Sequence, residues 1–509
     1  MPYQWGEMRC FLLILGGGAV LVVLAAGCFW LFYVEEDIRG KHEWDAANKN
    51  LQSMGDTADF NALIPPEVPE DQNLAASPIF QVPSPAENNN TSLSNPLRTA
   101  LKDIAPNYDS LPKTGNWLKD ESTDWGPLEK YLSDRYNKVF DHPESNLDVV
   151  QEIDALCPAL IDLRREASVK PRCRFARDYI VTPPYNRQYG STTDLIKLTK
   201  IINLHALAAL HTSQPDVALK DVETTLQIDS GVRQEPVLVS GLVAAGLVSI
   251  QLGSVWEGLK DHRWTDDQLS RLQEDFQRID FLADYQLSIR GEATGFFAQT
   301  LDYIRDHREA AALVLGMSNT EGSEMTEPFF ARVISWTMPN GWFDMTKARG
   351  VTLYFRAARE VVDPENKRVY PERSDHLKQV AGESVSLYDV PDLLFGVSSG
   401  PVISSAPSFA EVQFRVDAAV IACALERYRL AHGAYPDSLG ALRAYSSHDL
   451  PNDLMSGEPC HYKLNADGTY LLYSVGWDQV DDGGKVAYKK DDPNALDREH
   501  GDWVWQCPN

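Results

Sequence analysis

Between Cys10 and Val34 the chain carries no charged residue: CFLLILGGGAVLVVLAAGCFWLFYV. A helix of about 20 residues crosses the hydrocarbon core of a bilayer, so this run predicts a transmembrane helix over 10–34. Trp30 and Tyr33 stand near its C-terminal end, where amphipathic rings favour the membrane–water boundary. Two other readings compete. A cleaved signal sequence has a shorter apolar region, roughly 7–15 residues. A lipoprotein signal would use Leu24-Ala25-Ala26-Gly27 with Cys28 as the lipidated residue, but Phe29 to Tyr33 continue the apolar run where such a signal turns polar. Length favours the uncleaved single-pass span. Arg9 on one side and Arg39 and Lys41 on the other leave orientation open.

Residues 35–115 change character. Glu35 to Met54 can extend the first helix, and the rest is punctuated by Pro65, Pro66, Pro69, Pro78, Pro83, Pro85 and Pro96, with an Asn88-Asn89-Asn90 run. That composition predicts an extended linker. Asn89-Asn90-Thr91 fits a glycosylation sequon, relevant only to a eukaryotic secretory route.

Helical periodicity then dominates 116–404. Leu128, Tyr131, Leu132, Tyr136 and Phe140 mark one face, and Leu147 to Arg165 reads as a second helix. Ser191-x-x-Asp194 fits a capping box ahead of Leu195, Leu198, Ile202, Leu207 and Leu210. Pro215 opens the following helix, and the pair resembles one tetratricopeptide-like hairpin without a second copy at a fixed period. Val237 to Trp256 is uncharged, but Ser240, Ser249, Gln251 and Ser254 lower its apolarity, and a bundle-core helix is favoured over a second span. Thr265-x-x-Gln268 caps a long helix whose inward stripe is Leu269, Leu272, Phe276, Ile279, Leu282 and Ile289. Val351 to Val362 reads as a helix ending before Asp363-Pro364. Ser318 to Glu327 and Val397 to Ser408 read as loops.

The last unit, 405–509, switches pattern. A helix begins at Phe409, with Val412, Val416, Ala419, Val420, Cys423 and Ala424 inward and Gly433 as its stop. Strands are predicted at Cys460 to Leu464 and Tyr470 to Val475, joined by the turn Asn465-Ala466-Asp467-Gly468. The fold class is α+β: an N-terminal transmembrane helix, a mostly α-helical central domain, and a small C-terminal domain with a long helix and a short antiparallel sheet.

Composition narrows the function. The 509 residues carry a formal net charge of −26. Such a surface repels nucleic-acid phosphates, which argues against a nucleic-acid partner, and repels anionic headgroups, so membrane contact falls to the helix. Seven cysteines include no C-x-x-C pair. Cys157 with Cys173, and Cys460 with Cys507, would each close a loop in an oxidising compartment; buried free thiols are the alternative. Cys423 belongs to a helix core.

Catalytic patterns are sparse. Gly396-Val397-Ser398-Ser399-Gly400 fits G-x-S-x-G, but Pro401 follows and no strand–turn–helix context surrounds it. His205 and His211 stand six apart on one helix, and no H-E-x-x-H, P-loop or G-x-G-x-x-G occurs. A hydrolase would need a deep cleft converging residues such as Glu292, Asp284 or the histidines.

The run Leu425-Glu426-Arg427-Tyr428-Arg429-Leu430-Ala431-His432-Gly433-Ala434-Tyr435-Pro436 resembles the helix end of the major pseudopilin of bacterial type II secretion. Gly468-Thr469-Tyr470-Leu471-Leu472-Tyr473-Ser474-Val475-Gly476-Trp477-Asp478 is similar to that family's hairpin leading into its calcium loop. The resemblance implies a structural calcium ion with carboxylates from Asp478 and Asp482, a carbonyl from Val475, and Asp502 at a late acidic position. A solvated acidic turn is the alternative. The chain departs from the family at its start: Gly6-Glu7-Met8-Arg9-Cys10-Phe11 lacks the glutamate expected after a prepilin cleavage site, and the apolar segment ends at residue 34, far from the C-terminal unit. Pilus polymerisation is therefore not expected. The whole chain also looks like uncharacterised bacterial membrane-anchored proteins with a helical body. The expectation is a non-enzymatic envelope protein with an extracytoplasmic body, a protein partner in the envelope and a link to type II secretion; the alternative is an envelope-associated hydrolase.

Overall fold

The computed structural model describes residues 3–80, 93–104, 114–140, 147–187, 192–310, 336–383, 404–446, 448–492 and 495–506. It is mixed, mostly helical with small antiparallel sheets. Helix α1, Tyr3–Ser53, is one uninterrupted rod. From Val20 to Phe32 its large apolar side chains are exposed, Leu21 by 68% and Val23 by 70%. The side chains of 3–19 lie outside the described residues, so the expected span over 10–34 is described only in its second half. At Glu36 the same rod enters the body, and Leu51 is buried.

The partner of that second half is α12, Asn340–Glu360. The two helices meet at Gly40 and Gly341, where a Cβ on either would collide with the backbone of the other helix. Glycine permits that close approach, and polar groups lock it. The Gly341 N–H donates to Asp37 at 2.8 Å, and the Trp342 indole N–H donates to Glu36 at 2.8 Å.

Residues 35–80 are therefore not a free linker. Past α1 the chain runs as an irregular strap whose Phe60, Leu74, Ile79 and Phe80 are buried. Each such side chain contributes roughly 1.5–3 kcal/mol on leaving water, which offsets the ordering of a proline-broken backbone. Asn73 stitches the strap to the body, accepting from Arg174 N at 2.8 Å and donating to Arg174 O at 2.9 Å. Proline stops helix formation; it does not prevent packing. Residues 81–92, with the sequon, lie outside the described residues.

The body continues through α2 (Asn95–Ile104), α3 (Trp125–Phe140), α4 (Val149–Leu156) and α5 (Ala159–Val169). The single helix expected over 147–165 is broken at Cys157-Pro158, since proline cannot donate into the ladder. Helices α6 (Thr192–His211) and α7 (Pro215–Arg233) form the expected hairpin, with Pro215 in the first turn. Ser191 lies outside the described residues, so that capping box is not described. Helix α8, Leu238–Lys260, is long and apolar enough to cross a membrane by length and composition, yet packs among α6 and α7. Its Ser254 N–H donates to Asn203, and Gln251 donates to the Ser254 hydroxyl, so its polar groups find partners inside the bundle.

The capping box at Thr265 and Gln268 is present and starts α9, Asp266–Gln277. The expected long helix splits here. Asp280 accepts from Leu282 N and Ala283 N and caps α10, Phe281–Gly291. The whole apolar stripe from Leu269 to Ile289 is still buried, because the break preserves the inward face. A π-helical turn, Glu292–Ala298, leads into α11, Gln299–Asp306. After α12, Val362 and Asp363 form strand β1, which pairs with β2, Arg368–Val369, so the helix ends at Glu360 and Val362 does not belong to it. Helix α13 spans Pro371–Glu383.

Helix α14, Ala406–His432, starts three residues before the expected Phe409 and ends at Gly433, whose φ of 82° is left-handed. Its surroundings differ most from the sequence pattern. Every residue from Phe409 to Glu426 is buried, and the helix packs against α8, α9 and α10. Its polar residues are paired internally: Glu411 accepts from Arg415 and from Arg498, and the Gln413 carbonyl accepts the Phe281 N–H at 2.7 Å. One apolar core runs across the boundary at 405.

Beyond α14, β3 (His461–Leu464) and β4 (Tyr470–Ser474) form the expected hairpin, pairing His461 with Tyr473 and Leu464 with Tyr470. Strand β7, Trp503–Gln506, adds antiparallel to β4, giving the order β3-β4-β7. Strands β5 (Val486–Tyr488) and β6 (Leu496–Gly501) make a separate pair. Trp505 of β7 packs on Trp117, between α2 and α3, with ring centroids 5.1 Å apart, and ties the sheet to the body.

Candidate functional site

The acidic loop after β4 is built by left-handed residues. Gly476, Gln479, Gly483 and Gly484 all have positive φ, and Trp477 is buried beneath the loop. Asp478 accepts from Val480 N at 3.1 Å and Gly501 N at 3.0 Å. Asp502 accepts from Asp482 N at 3.3 Å, Gly484 N at 2.6 Å and Lys485 N at 3.2 Å. Burial pushes the Asp502 carboxyl above the ordinary carboxylate range against those three hydrogen bonds. Val475 is half-buried just past β4, and Asp482 is exposed.

This arrangement sets Asp502, between β6 and β7, against the loop that carries Asp478. Calcium needs six to eight oxygens directed at one point. Here both oxygens of Asp502 face backbone N–H groups, whose positive ends repel a cation, and Asp482 contributes its N–H. Among the described residues no group of three or more His, Cys, Asp or Glu is placed to hold a metal ion. Asp502 itself closes the loop.

The most concentrated buried charge lies elsewhere. His205 on α6 is fully buried and 2.5 Å from Asp221 on α7. Arg164 of α5 lies 3.1 Å from Asp221 and 2.7 Å from Asp154 of α4. Burial opposes protonation of His205, but the Asp221 charge and the hydrogen bonds His205 donates to Asp154 and Asp221 outweigh it and raise its pKa to about 9. The cluster is a charged staple across four helices. His211 plays no part in it, stacking instead on Trp125. Sequence spacing does not reveal the cluster, since its members come from separate helices; an acid and a histidine on otherwise apolar faces are the only hint.

The other sequence candidates are held by structural partners. Glu292 accepts the Leu238 N–H at 2.9 Å and so caps α8. Asp284 is 3.3 Å from Arg233, which also holds Asp229 at 2.8 Å. Gly396 to Gly400 lies outside the described residues. Cys157 and Cys173 are separate buried thiols, and burial pushes each up to about 12. Cys460 is a buried free thiol, and Cys507 lies outside the described residues.

One cleft carries a buried acid, Asp417. It encloses ≈ 770 Å³ between α9, the β1–β2 turn and the 448–457 loop, with Asp417 and Lys367 in its wall. Gln413 donates to one Asp417 oxygen at 2.8 Å, and burial pushes the carboxyl up to about 7. Comparison with protein-family models, curated proteins and solved structures finds no match for this chain.

Proposed function

We propose that this chain is a non-enzymatic, single-pass membrane protein of the bacterial envelope, whose helical body is a scaffold for a protein partner. The observation that carries the reading is α1. It is apolar on every face over 20–32 and is clasped by the body from Glu36 onward. A helix free of charge over a bilayer's thickness, whose large apolar side chains are exposed from Val20 to Leu31, is stable in lipid and costly in water. The acidic body makes no electrostatic bid for anionic lipid, which leaves α1 as the anchor. The order of long helix, hairpin and added third strand supports the pseudopilin-like reading of the C-terminal region, and with it an extracytoplasmic body linked to type II secretion. The acidic loop is proposed to be held by Asp502 in place of calcium.

The full chain is expected to resist alkaline carbonate extraction and to float with liposomes, whereas deletion of 10–34 releases it. Extraction of the full chain would overturn the anchor. Protease protection in intact cells tests the side of the membrane, and co-purification with pilus subunits tests the secretion link. The second reading, a hydrolase of envelope polymers, draws on the Asp417 cleft. Release of products from envelope glycan that is lost in Asp417→Asn would favour it.

A further inference from the structure

We propose that the body rests on the bilayer through an aromatic collar where α1 leaves the membrane, with Trp336 seated at the headgroup–acyl boundary. The proposal rests on the reading of 10–34 as a membrane span and adds the face that the body presents to lipid. The midpoint of that span is residue 22. At about 1.5 Å per residue, Tyr33 lies about 16 Å from it along the helix. Half the hydrocarbon thickness is about 15 Å, so Tyr33 stands at the boundary.

The body reaches this same level. The Tyr33 hydroxyl donates to the Thr337 carbonyl, and the Phe32 ring meets Trp342 edge-on with centroids 6.3 Å apart. Residues 337–342 are thus pinned beside the last turn of the span. Trp336, next in the chain to Thr337, is 67% exposed. Trp30 and Leu31, within one turn of Tyr33 on α1, are themselves 65% and 60% exposed. An indole is amphipathic and favours the membrane interface over bulk water. Continuity with the bare face of α1 identifies the occupant as lipid. The Gly40–Gly341 contact and the bonds from Gly341 and Trp342 to Asp37 and Glu36 hold the body in one attitude to α1, so the collar cannot swing away. Glu35, Glu36 and Asp37 lie just outside it. Docking is therefore aromatic, insensitive to anionic lipid content and to salt.

The test uses the full chain in phosphatidylcholine nanodiscs, with Cys10, Cys28 and Cys507 replaced by serine. The remaining four thiols are buried. Nitroxide labels are placed singly at Leu24→Cys, Trp336→Cys and, as a body control, the exposed Ile180→Cys. Accessibility to oxygen and to a nickel chelate reads depth. Position 24 is expected deep, 336 protected from nickel at intermediate depth, and 180 open to nickel. A label at 336 as open as that at 180, with 24 still deep, would overturn the collar and leave the anchor standing. A label at 24 open to nickel would overturn both. Replacing a third of the lipid with phosphatidylglycerol should leave 336 unchanged; a large change would overturn the aromatic mode. A second measurement keeps the native indole. Quenching by brominated lipid should fall from wild type to Trp336→Phe, and equal quenching would overturn the collar.

Discussion

The His205–Asp221 staple makes stability depend on pH in a defined window. The folded pKa of His205 is raised to about 9, above the ordinary value near 6.5. A raised pKa stabilises the fold fully below the unfolded value, and that stabilisation is lost as pH rises through the folded one. The window is therefore pH 6.5 to 9. The difference is worth about 3 kcal/mol, since each unit of pKa is about 1.4 kcal/mol. Other buried acids titrate nearby, Asp229 and Asp417 at about 7 and Asp284 at about 6, so the pH slope of the wild type alone does not isolate the histidine. His205→Asn does. Urea unfolding of the full chain in detergent is measured at pH 6 and pH 9.5 for both proteins. At pH 6 the variant should be destabilised by about 3–5 kcal/mol, because Asp221 loses a partner while remaining buried. By pH 9.5 that gap should shrink by about 3 kcal/mol. A gap of the same size at both pH values would refute a protonated His205.

Gly341→Val should wedge α1 off α12, costing about 1–3 kcal/mol by overpacking, and limited proteolysis should then cut between α1 and the strap; unchanged melting and cutting would refute the close crossing. Asp502→Ala should cost about 2–3 kcal/mol, because three backbone N–H groups lose a charged acceptor. Calcium against a chelator should leave the wild-type melting temperature unchanged, and a calcium-dependent rise abolished by Asp478→Ala would restore the metal site. A fragment of 405–509 should fail to melt cooperatively, since α14 loses the α8, α9 and α10 surfaces that bury it; a sharp transition would refute the shared core.

Much of the secondary structure was legible because periodicity and local stop signals report it. Thr265 with Gln268, Pro215 and Gly433 each mark an end through chemistry confined to a few residues. Where the reading failed, a non-local fact decided. The prolines of 55–80 forbid helix but say nothing about whether Phe60 and Leu74 find a surface. Asp280 breaks a periodic stripe without disturbing it, so the pattern alone could not show the break. The resemblance implied ligands at 478, 482 and 502, while the directions of the Asp478 and Asp502 carboxylates depended on which backbone N–H groups the turns presented. The staple around His205 joins four helices, and no one-dimensional spacing encodes it.

The C-terminal resemblance concerns the end of α14, and over its buried length α14 has no face left to offer. Residues 409–426 are buried on all sides, including Glu411, Gln413 and Arg415, each already paired. A helix that assembles with copies of itself needs an uncovered apolar stripe. Among the described residues, the helix with such a stripe is α1, over 20–32. On the proposed reading, crossing the membrane falls to α1, and coring the globular part falls to α14. The division has a mechanical consequence. Force applied to the body passes to α1 through its crossing with α12 at Gly40 and Gly341, and not through the sheet. A load on the C-terminal strands should therefore detach β7 at Trp505–Trp117 before it disturbs the anchor. In a pulling experiment from the C-terminus the sheet should yield first, and release of α1 as the first event would refute this order.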